Sequence, residues 1–350
     1  MPTPPEPSPG APPRGHTLQL YALPPQGEGS PGTAELSCRH CGTLNRVPRL
    51  DAAQRPARYH CGGCRGPLFL RDDEPFTGLA GVAYQHELDR QALAALQKVP
   101  GLDRAVKWVV AELGERSAGL FHLASAVQCG PTQLPRVHEI FRHACHRLDL
   151  PTVPPLYLTD SPFPNAITAG VQRPFVTVTS SLLERLDEQE LLAVFAHELG
   201  HIQADHVLYK TLASVLSTAA VTLAQTTLGI GRLVLVPLQL ALLKWDRCSE
   251  LTGDRAALLA TADPDVLVRV QMKLAGGAGS RYGELSTASY LAQARHLATL
   301  QQGSLLNQAV SLLQNVGRTH PFPVWRTHEL LTWASEGDYL RLLAGGYDRR

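Results

Sequence analysis

Two histidines and a glutamate in the stretch AHELGH, residues 196–201, have the spacing of a zinc site. If the stretch is helical, the chain turns through about 400° from His197 to His201, so the two imidazoles project from one face and can share a zinc ion. Glu198 lies about 100° round the helix from His197, too far for a third ligand but close enough to accept a proton from a water at the metal. The spacing predicts a catalytic zinc site, with a chance occurrence of the pattern as the alternative.

A third ligand must come from elsewhere in the chain, because a catalytic zinc keeps three protein ligands and one open position. The stretch RCSELTGDRAAL, residues 247–258, has Glu250 and Asp254 four apart on a predicted helix. One carboxylate there can bind the metal while the other supports a ligand from behind. A charged, solvated helix face explains the pattern equally well, so both interpretations stay open on the pattern alone.

The elements that must position these side chains are indicated by the residues around them. The stretch LDEQELLAVFAHELGHIQADH begins with a capping box, in which Asp187 is the N-cap and Glu190 follows three residues later, and it continues with apolar residues at helical spacing. The β-branched run from Val176 to Thr179 predicts a strand ahead of it. We therefore expect the HExxH motif on a helix that follows a short sheet.

Four of the seven cysteines form two CxxC pairs, separated by residues 42–60. Each pair presents two thiolates to one ion, and four thiolates complete a closed tetrahedral zinc site, which is structural rather than catalytic. A redox dithiol is the alternative, but it needs only one CxxC pair. The predicted zinc ribbon spans residues 35–72, and its ligands are Cys38, Cys41, Cys61 and Cys64.

Composition limits the remaining function classes. The 350 residues are 44% apolar, enough for one main domain with an appendage. The 32 basic residues nearly balance the 31 acidic ones, so no nucleic acid is expected as a partner. Residues 1–34, rich in proline and glycine, predict a disordered tail and resemble neither a signal nor a transit peptide. The lack of signal-peptide character, together with the odd number of cysteines, favours a cytoplasmic protein over a secreted one.

An apolar segment at 207–245 lies between the HExxH motif and Glu250. Its uncharged run at 211–231 is long enough to span a bilayer, but a single span would separate the histidines from Glu250 by the membrane. The second arm, 233–243, is too short to span, and Pro237 is expected to interrupt it. The segment therefore predicts a buried or peripheral helical hairpin over the active-site cleft rather than a membrane insertion, and peripheral membrane contact is part of that interpretation.

Four stretches together resemble the M48 family of zinc metallopeptidases, the group that includes Ste24-like and HtpX-like enzymes. The stretches are PNAITAG at 164–170, ELLAVFAHELGHIQADH at 190–206, RCSELTGDRAA at 247–257 and THPFPVWR at 319–326. The resemblance spans residues 84–330. It implies a set of three ligands for the catalytic zinc: His197, His201 and Glu250.

The resemblance also implies roles for residues around the zinc. Glu198 is the general base, Asp254 is a supporting carboxylate, and His320 and Asn165 face the scissile carbonyl. On spacing alone, a surface histidine and a turn-forming asparagine remain alternatives for the last two. One departure from the family is Gly253, where alanine is usual, and it is expected to loosen that turn of the helix without changing a ligand.

The fold implied by the resemblance is α+β and mostly helical, a gluzincin-type zincin domain with a small sheet over residues 75–345. The ribbon before it is expected to be an independent module. The implied activity is that of a zinc-dependent metalloendopeptidase with one catalytic and one structural zinc ion. Its expected substrates are polypeptides, misfolded or membrane-associated proteins among them.

Two other function classes stay open. One is a catalytically silent zinc-binding scaffold or chaperone, against which the intact Glu198 argues. The other is an adaptor that acts through the zinc ribbon, which several arginines make locally basic.

Overall fold

The structure, a computed structural model, describes the protein over residues 32–50, 56, 58–99, 101–102, 106, 124–213, 230–276, 279–301 and 322–350. For residues 230–239 and 301 it describes the backbone alone. Residues 1–31 of the predicted tail lie outside the described residues, and so does His320. Thr33 and Ala34, which the predicted tail also includes, belong instead to the first strand.

The described chain forms two small sheets and a larger set of helices. The strands are β1 (Thr33–Ser37), β2 (Leu44–Pro48), β3 (Val127–Cys129), β4 (Leu156–Thr159), β5 (Ala166–Ala169) and β6 (Phe175–Thr179). The helices are α1 (Glu87–Leu96), α2 (Pro135–Arg147), α3 (Ser180–Arg185), α4 (Glu188–Gln203), α5 (Ile230–Thr261), α6 (Pro264–Gly276), α7 (Thr287–Gln301), α8 (Pro323–Glu336) and α9 (Tyr339–Leu343). The predicted class, α+β and mostly helical, is confirmed.

The larger sheet has four strands in the order β3-β4-β6-β5, with β4 and β6 parallel and the other two pairs antiparallel. The β-branched sequence of β6, FVTVT, favours an extended chain, and its Val176 and Val178 are fully buried. The strand predicted ahead of the HExxH motif is therefore confirmed. Strand β5 forms one edge of this sheet and packs against α4, so an edge strand lies next to the motif.

Helix α4 carries the HExxH motif, as predicted. Its capping box is complete, because Asp187 Oδ1 accepts a hydrogen bond from the N–H of Glu190 and the Glu190 carboxylate accepts one from the N–H of Asp187, both at 2.9 Å. Phe195 of α4 meets Phe141 of α2 edge to face, with ring centroids 5.4 Å apart. The motif residues are themselves buried, so their polar side chains need partners inside the protein.

Helix α5 is continuous over 32 residues and carries both Glu250 and Asp254. Pro237 lies within it, so the expected interruption at this residue is wrong. A proline removes one backbone hydrogen bond from a helix, and the remaining bonds of a long helix continue past it. Gly200 of α4 lies so near α5 that an added Cβ would be 2.5 Å from the Cβ of Ala256. This close approach brings the carboxylates of α5 next to the histidines of α4.

The apolar segment 207–245 is described only at its two ends. Residues 207–213 are helical, and Leu212 packs with Trp245 of α5 and with α1 in a buried apolar cluster. The described ends of the segment are therefore helical and packed on the protein through Leu212 and Trp245, while residues 214–229 lie outside the described residues. None of the described helices combines the length and the apolar character that crossing a bilayer requires.

The ribbon docks directly on the helical part of the chain. Arg49 donates from Nη1 to the carbonyls of Ser335 and Glu336 at the end of α8, at 3.1 and 2.8 Å. The N–H of Leu70 donates to the carbonyl of Leu343 in α9 at 2.8 Å. Buried apolar residues of the ribbon belong to the same cluster as those of the helices and the larger sheet. The shared core argues against the expected independence of the two modules.

Candidate catalytic metal centre

Three ligand atoms from α4 and α5 meet in a buried cluster. His197 Nε2 lies 3.2 Å from His201 Nε2 and 3.4 Å from Glu250 Oε2, and His201 Nε2 lies 3.4 Å from Glu250 Oε1. Zinc bonds of about 2.0–2.1 Å arranged as a tetrahedron separate neighbouring ligand atoms by about 3.3 Å. The spacings therefore fit one zinc ion. Of the two carboxylates on α5 that the pattern left open, Glu250 is the one that joins the histidines.

Gly253 lies against the ring of His197. A Cβ at this position would be 2.6–2.9 Å from three ring atoms, a distance at which the ring or the helix has to shift. Helix α5 runs through Gly253 without a break. The missing side chain makes room for the ring of His197.

Asp254 lies behind His197, with Oδ1 3.2 Å from Nδ1. Arg326 of α8 holds this carboxylate through Nε at 2.8 Å and Nη2 at 2.6 Å, and its Nη1 lies 3.3 Å from Glu250 Oε2. Burial alone would raise the pKa of Asp254, but the charge and hydrogen bonds of Arg326, with those of His197, hold it below its usual value. An ionised carboxylate here fixes the orientation of the His197 ring. The sequence analysis missed Arg326, although it ends the stretch THPFPVWR.

The two histidines have different electrostatic surroundings. Burial lowers the pKa of His197, but hydrogen bonds to Asp254 and Glu250 outweigh it and raise the pKa to about 9. For His201, burial and the charge of Lys210 together hold the pKa well below its usual value. Lys210 Nζ reaches Glu250 Oε1 at 2.7 Å, so this second missed residue adds a positive charge at the edge of the cluster.

Glu198, the predicted general base, is buried beside the ligand cluster. Thr168 of β5 lies next to it, with Oγ1 2.8 Å from Glu198 Oε2 and 3.0 Å from the Glu198 carbonyl oxygen. Ala166 and Thr168 are buried and Ile167 is exposed, the alternation of a strand with one face on a helix. The sequence analysis missed Thr168, although this alternation within PNAITAG was the signal that could have found it.

Of the two residues expected to face the scissile carbonyl, only Asn165 is described. It lines a cavity that His197 and Glu198 also line, and its backbone N–H donates to Thr179 Oγ1 at 2.9 Å. His320 lies outside the described residues. The other walls of the cavity are mostly apolar and come from α3, α4, α5 and α6; they include Leu182, Ala193, Val194, Ala257, Leu267, Val270 and Leu274.

The ribbon cysteines form a second, separate cluster. The sulfurs of Cys38 and Cys64 are 3.7 Å apart, and those of Cys41 and Cys61 are 3.6 Å apart. Zinc–sulfur bonds of about 2.3 Å in a tetrahedron separate neighbouring sulfurs by about 3.8 Å. Hydrogen bonds from the backbone N–H groups of Cys64 and Gly63 lower the pKa of Cys61 to about 6. The geometry fits the closed zinc site predicted from the two CxxC pairs.

A buried HExxH helix that receives a glutamate from a second helix defines a zinc metallopeptidase of the gluzincin type. The model of peptidase family M48 matches residues 131–334, and the chain belongs to that family. The matched range contains all four stretches that carried the resemblance, which is therefore confirmed. The ribbon and α1 lie before the matched range.

Named relatives agree with this membership. The chain is 36% identical over 284 residues to "Plastoglobule-localized metallopeptidase 48, chloroplastic" of Arabidopsis thaliana, a match that covers 80% of this chain and 79% of the relative. It is 27% identical over 240 residues to "Protease HtpX homolog" of Ralstonia pickettii, which covers 63% of this chain and 81% of the relative. The corresponding protein of Burkholderia thailandensis is 26% identical with the same coverage. No solved structure matches the chain.

Proposed function

We propose that the protein is a zinc-dependent metalloendopeptidase in which His197, His201 and Glu250 hold the catalytic zinc and Glu198 is the general base. The main support for this proposal is the spacing of the three ligand atoms, which lie 3.2–3.4 Å apart. The buried Glu198 lies beside them without being a ligand. A silent zinc scaffold needs the ligands but has no use for Glu198. The cysteine cluster of the ribbon is proposed as a second, structural zinc site.

The roles proposed around the bond to be cleaved follow from the side chains beside the cluster. When bound, zinc supplies Lewis acidity towards the scissile carbonyl and makes water reactive near neutral pH. Glu198 accepts the proton of the attacking water and passes it to the leaving amine. Thr168 restrains Oε2 of that carboxylate, which leaves Oε1 to carry the proton. Asn165 and His320 donate hydrogen bonds to the carbonyl oxygen as it gains negative charge, and Asp254 keeps the ring of His197 oriented.

Membership of the family supports polypeptides as the substrate class. Strand β5 is an edge strand next to the HExxH helix, and an extended chain can pair with such an edge. The cavity beside His197 and Glu198 has mostly apolar walls, which suit an apolar side chain next to the scissile bond. Misfolded and membrane-associated proteins, which expose such side chains, are therefore the proposed substrates.

The cellular location is a separate part of the proposal. The Arabidopsis relative is named as a plastoglobule-localized, chloroplastic protein. For this chain we propose a cytoplasmic location with peripheral membrane contact through residues 207–245. Alkaline carbonate washing of membranes from expressing cells tests it, because a peripheral protein is released into the supernatant. Retention in the pellet would contradict peripheral attachment.

The activity is tested by Glu198→Gln against Glu188→Gln. The first change keeps the shape of the general base but removes its ability to take a proton, so we expect unchanged zinc content and at least a 100-fold loss in cleavage of an unfolded protein, the lower end of about 10²–10⁴ for such groups. The second changes an exposed glutamate at the start of the same helix, which pairs with Arg136, and should cleave as wild type does. Full activity of the Glu198→Gln variant would overturn the proposal.

A further inference from the structure

The zinc ligand His201 has a buried partner on the side away from the cluster. Its Nδ1 lies 2.9 Å from Nδ1 of His206, and Nε2 of His206 lies 2.9 Å from Oδ2 of Asp89. His201, His206 and Asp89 have exposed fractions of 1%, 0% and 0%. A histidine and a carboxylate are thus lined up behind a metal-ligating imidazole, out of contact with solvent.

The chain geometry after α4 explains the position of His206. Asp205 has a left-handed backbone, with φ of 56°, so the chain turns away from the helix axis. The N–H of His206 then donates to the carbonyl of His201 at 2.9 Å, which closes the turn and brings the two rings together. Trp245 of α5 packs edge to face on the His206 ring, with centroids 5.5 Å apart. The ring of His206 is therefore confined by packing as well as by hydrogen bonds.

Asp89 comes from the first turn of α1 and is fixed by two further donors. The hydroxyl of Thr252 donates to its Oδ2 at 2.7 Å, and Gln85 Nε2 donates to the same oxygen at 3.1 Å. The hydroxyl of Thr252 in turn accepts from the N–H of His86 at 3.0 Å. Because Thr252 lies on α5 between Glu250 and Asp254, Asp89 joins α1 to the helix that carries the third ligand.

The direction of the hydrogen bonds in this row follows from its carboxylate end. A carboxylate has no proton to share, so the Nε2 of His206, 2.9 Å from Oδ2 of Asp89, carries the ring proton. A neutral His206 then has a lone pair on Nδ1, which accepts the Nδ1–H of His201. That leaves the lone pair of His201 on Nε2, the atom that lies 3.2 Å from His197 Nε2 and 3.4 Å from Glu250 Oε1. The row selects the tautomer of His201 that can bind a metal.

We propose that Asp89 and His206 are positioning residues that set the tautomer and ring orientation of His201 and thereby raise the affinity of the site for zinc. The inference rests on the proposed role of His201 as a ligand. It gives α1, which lies before the range matched to the family, a function in the metal centre. The two histidines then differ in the partner of Nδ1. His197 contacts the Asp254 carboxylate directly, whereas His201 reaches the Asp89 carboxylate through His206.

The test measures zinc affinity at the histidine site of the full chain by chelator competition. Co²⁺ distinguishes the two sites, because only the ribbon site gives thiolate charge-transfer absorption. For Asp89→Leu, which removes the acceptor, and for His206→Phe, we expect a loss of about 10–100-fold, the usual effect of removing such a partner. Asp89→Asn should lose less but still several-fold, because its carbonyl oxygen remains near His206 and Thr252 but is a weaker acceptor than a carboxylate. The ribbon site should keep its affinity in all three.

Glu329→Gln is the matched control. It removes the carboxylate whose Oε2 lies 3.7 Å from Nε2 of His86, a buried histidine that is not a zinc ligand, and should bind zinc as wild type does. An equal loss in this control, or wild-type affinity in Asp89→Leu and His206→Phe, would overturn the positioning role. Asp89→Leu and His206→Phe could unfold, which a loss of helical circular dichroism would show. In that case Asp89→Asn is the deciding variant, and a zinc affinity equal to that of wild type would overturn the positioning role. Absence of zinc binding at this site in the wild type would sink the proposed function itself, and the positioning role with it.

Discussion

The ribbon and the peptidase centre hold their proposed zinc ligands in opposite ways. The four ribbon sulfurs come from two short turns, and Cys41 and Cys64 are exposed. The peptidase ligands come from two long helices and are all buried. The partners of the ribbon sulfurs are mainly backbone N–H groups. The partners of the histidines are side chains, the Asp254 carboxylate at His197 and the His206 ring at His201.

The difference follows from what each site has to do. Four thiolates fill a tetrahedron and leave no position for a substrate, so local turns are sufficient. Two imidazoles and one carboxylate leave a fourth position, and a base must lie beside it without becoming a ligand. That requires rigid helices and side chains that hold the ligands in place. Asp254 with Arg326 lies behind His197. His206 with Asp89 lies behind His201. The catalytic site is therefore the part that depends on tertiary structure.

The largest effect is expected from Glu250→Ala. This change leaves two protein ligands and removes a partner from both Lys210 and Arg326, so the peptidase centre should lose its zinc and all measurable cleavage. Metal analysis should show one zinc per chain instead of two, with the thiolate absorption of the Co²⁺ form intact. Two zinc ions in the variant would show that Glu250 is not a ligand.

Cys61→Ser tests the other half of the comparison. It should remove the ribbon zinc, because a closed site of this kind owes its folding to the metal. Since the ribbon shares its apolar core with the helices, we also expect a lower Tm for the whole chain; a loss of about 2 kcal/mol corresponds to roughly 5 °C. Cleavage measured well below that Tm should persist. An unchanged Tm in scanning calorimetry would show that the ribbon is an independent module after all.

Thr168→Val removes the hydroxyl beside the base without touching a ligand. A hydrogen bond to a charged group is worth about 1.5–3 kcal/mol, so a fall in kcat/KM of about 10- to 100-fold is expected, with zinc content unchanged. Thr168→Ser keeps the hydroxyl and should restore most of the activity. Thr177→Val is the control, because this neighbouring strand residue has a buried hydroxyl with no hydrogen-bond partner within the described part of the chain. Equal losses at the two threonines would mean that packing, and not the hydrogen bond, is responsible.

Local signals predicted the parts of the site that lie on one element. The capping box of Asp187 and Glu190 fixed the start of α4, and the two CxxC pairs indicated their own cluster. The choice between Glu250 and Asp254 was not local, because both project from α5 one turn apart. It depends on where α5 crosses α4, and that crossing depends on the small residue at Gly200.

The sequence pattern did not assign the partners that reach the site from distant parts of the chain. Asp89 lies more than a hundred residues before His201, and nothing in its own stretch indicates a metal site. Arg326 had a signal, since it lies in a family stretch, but its role depends on the arrival of α8 beside α5. Pro237 shows the converse, because a strong local signal for a break was overridden within a long helix.

The smallest effect is expected from Gly253→Ala, which introduces the alanine that is usual at this position in the family the chain resembles. Alanine favours a helix interior over glycine by about 1 kcal/mol, so the change should not lower the Tm. Its Cβ, however, would lie 2.6–2.9 Å from ring atoms of His197, whose Nδ1 is also held by Asp254 at 3.2 Å. The ring has to move by a few tenths of an ångström, and zinc affinity at the peptidase centre should fall, by less than the ~10-fold at the low end of removing a supporting carboxylate.

Gly276→Ala at the end of α6 is the control for Gly253→Ala, because an added Cβ there meets only Leu285 at 3.8 Å, an ordinary contact. Chelator competition on both variants separates the two consequences of an added methyl group, helix propensity and contact with the ligand. An affinity in Gly253→Ala equal to that of wild type would show that the helices shift to accommodate the methyl group. The crossing of α4 and α5 would then be less rigid than we infer for the catalytic site. The contrast with the ribbon, whose ligands need only local turns, would be weaker.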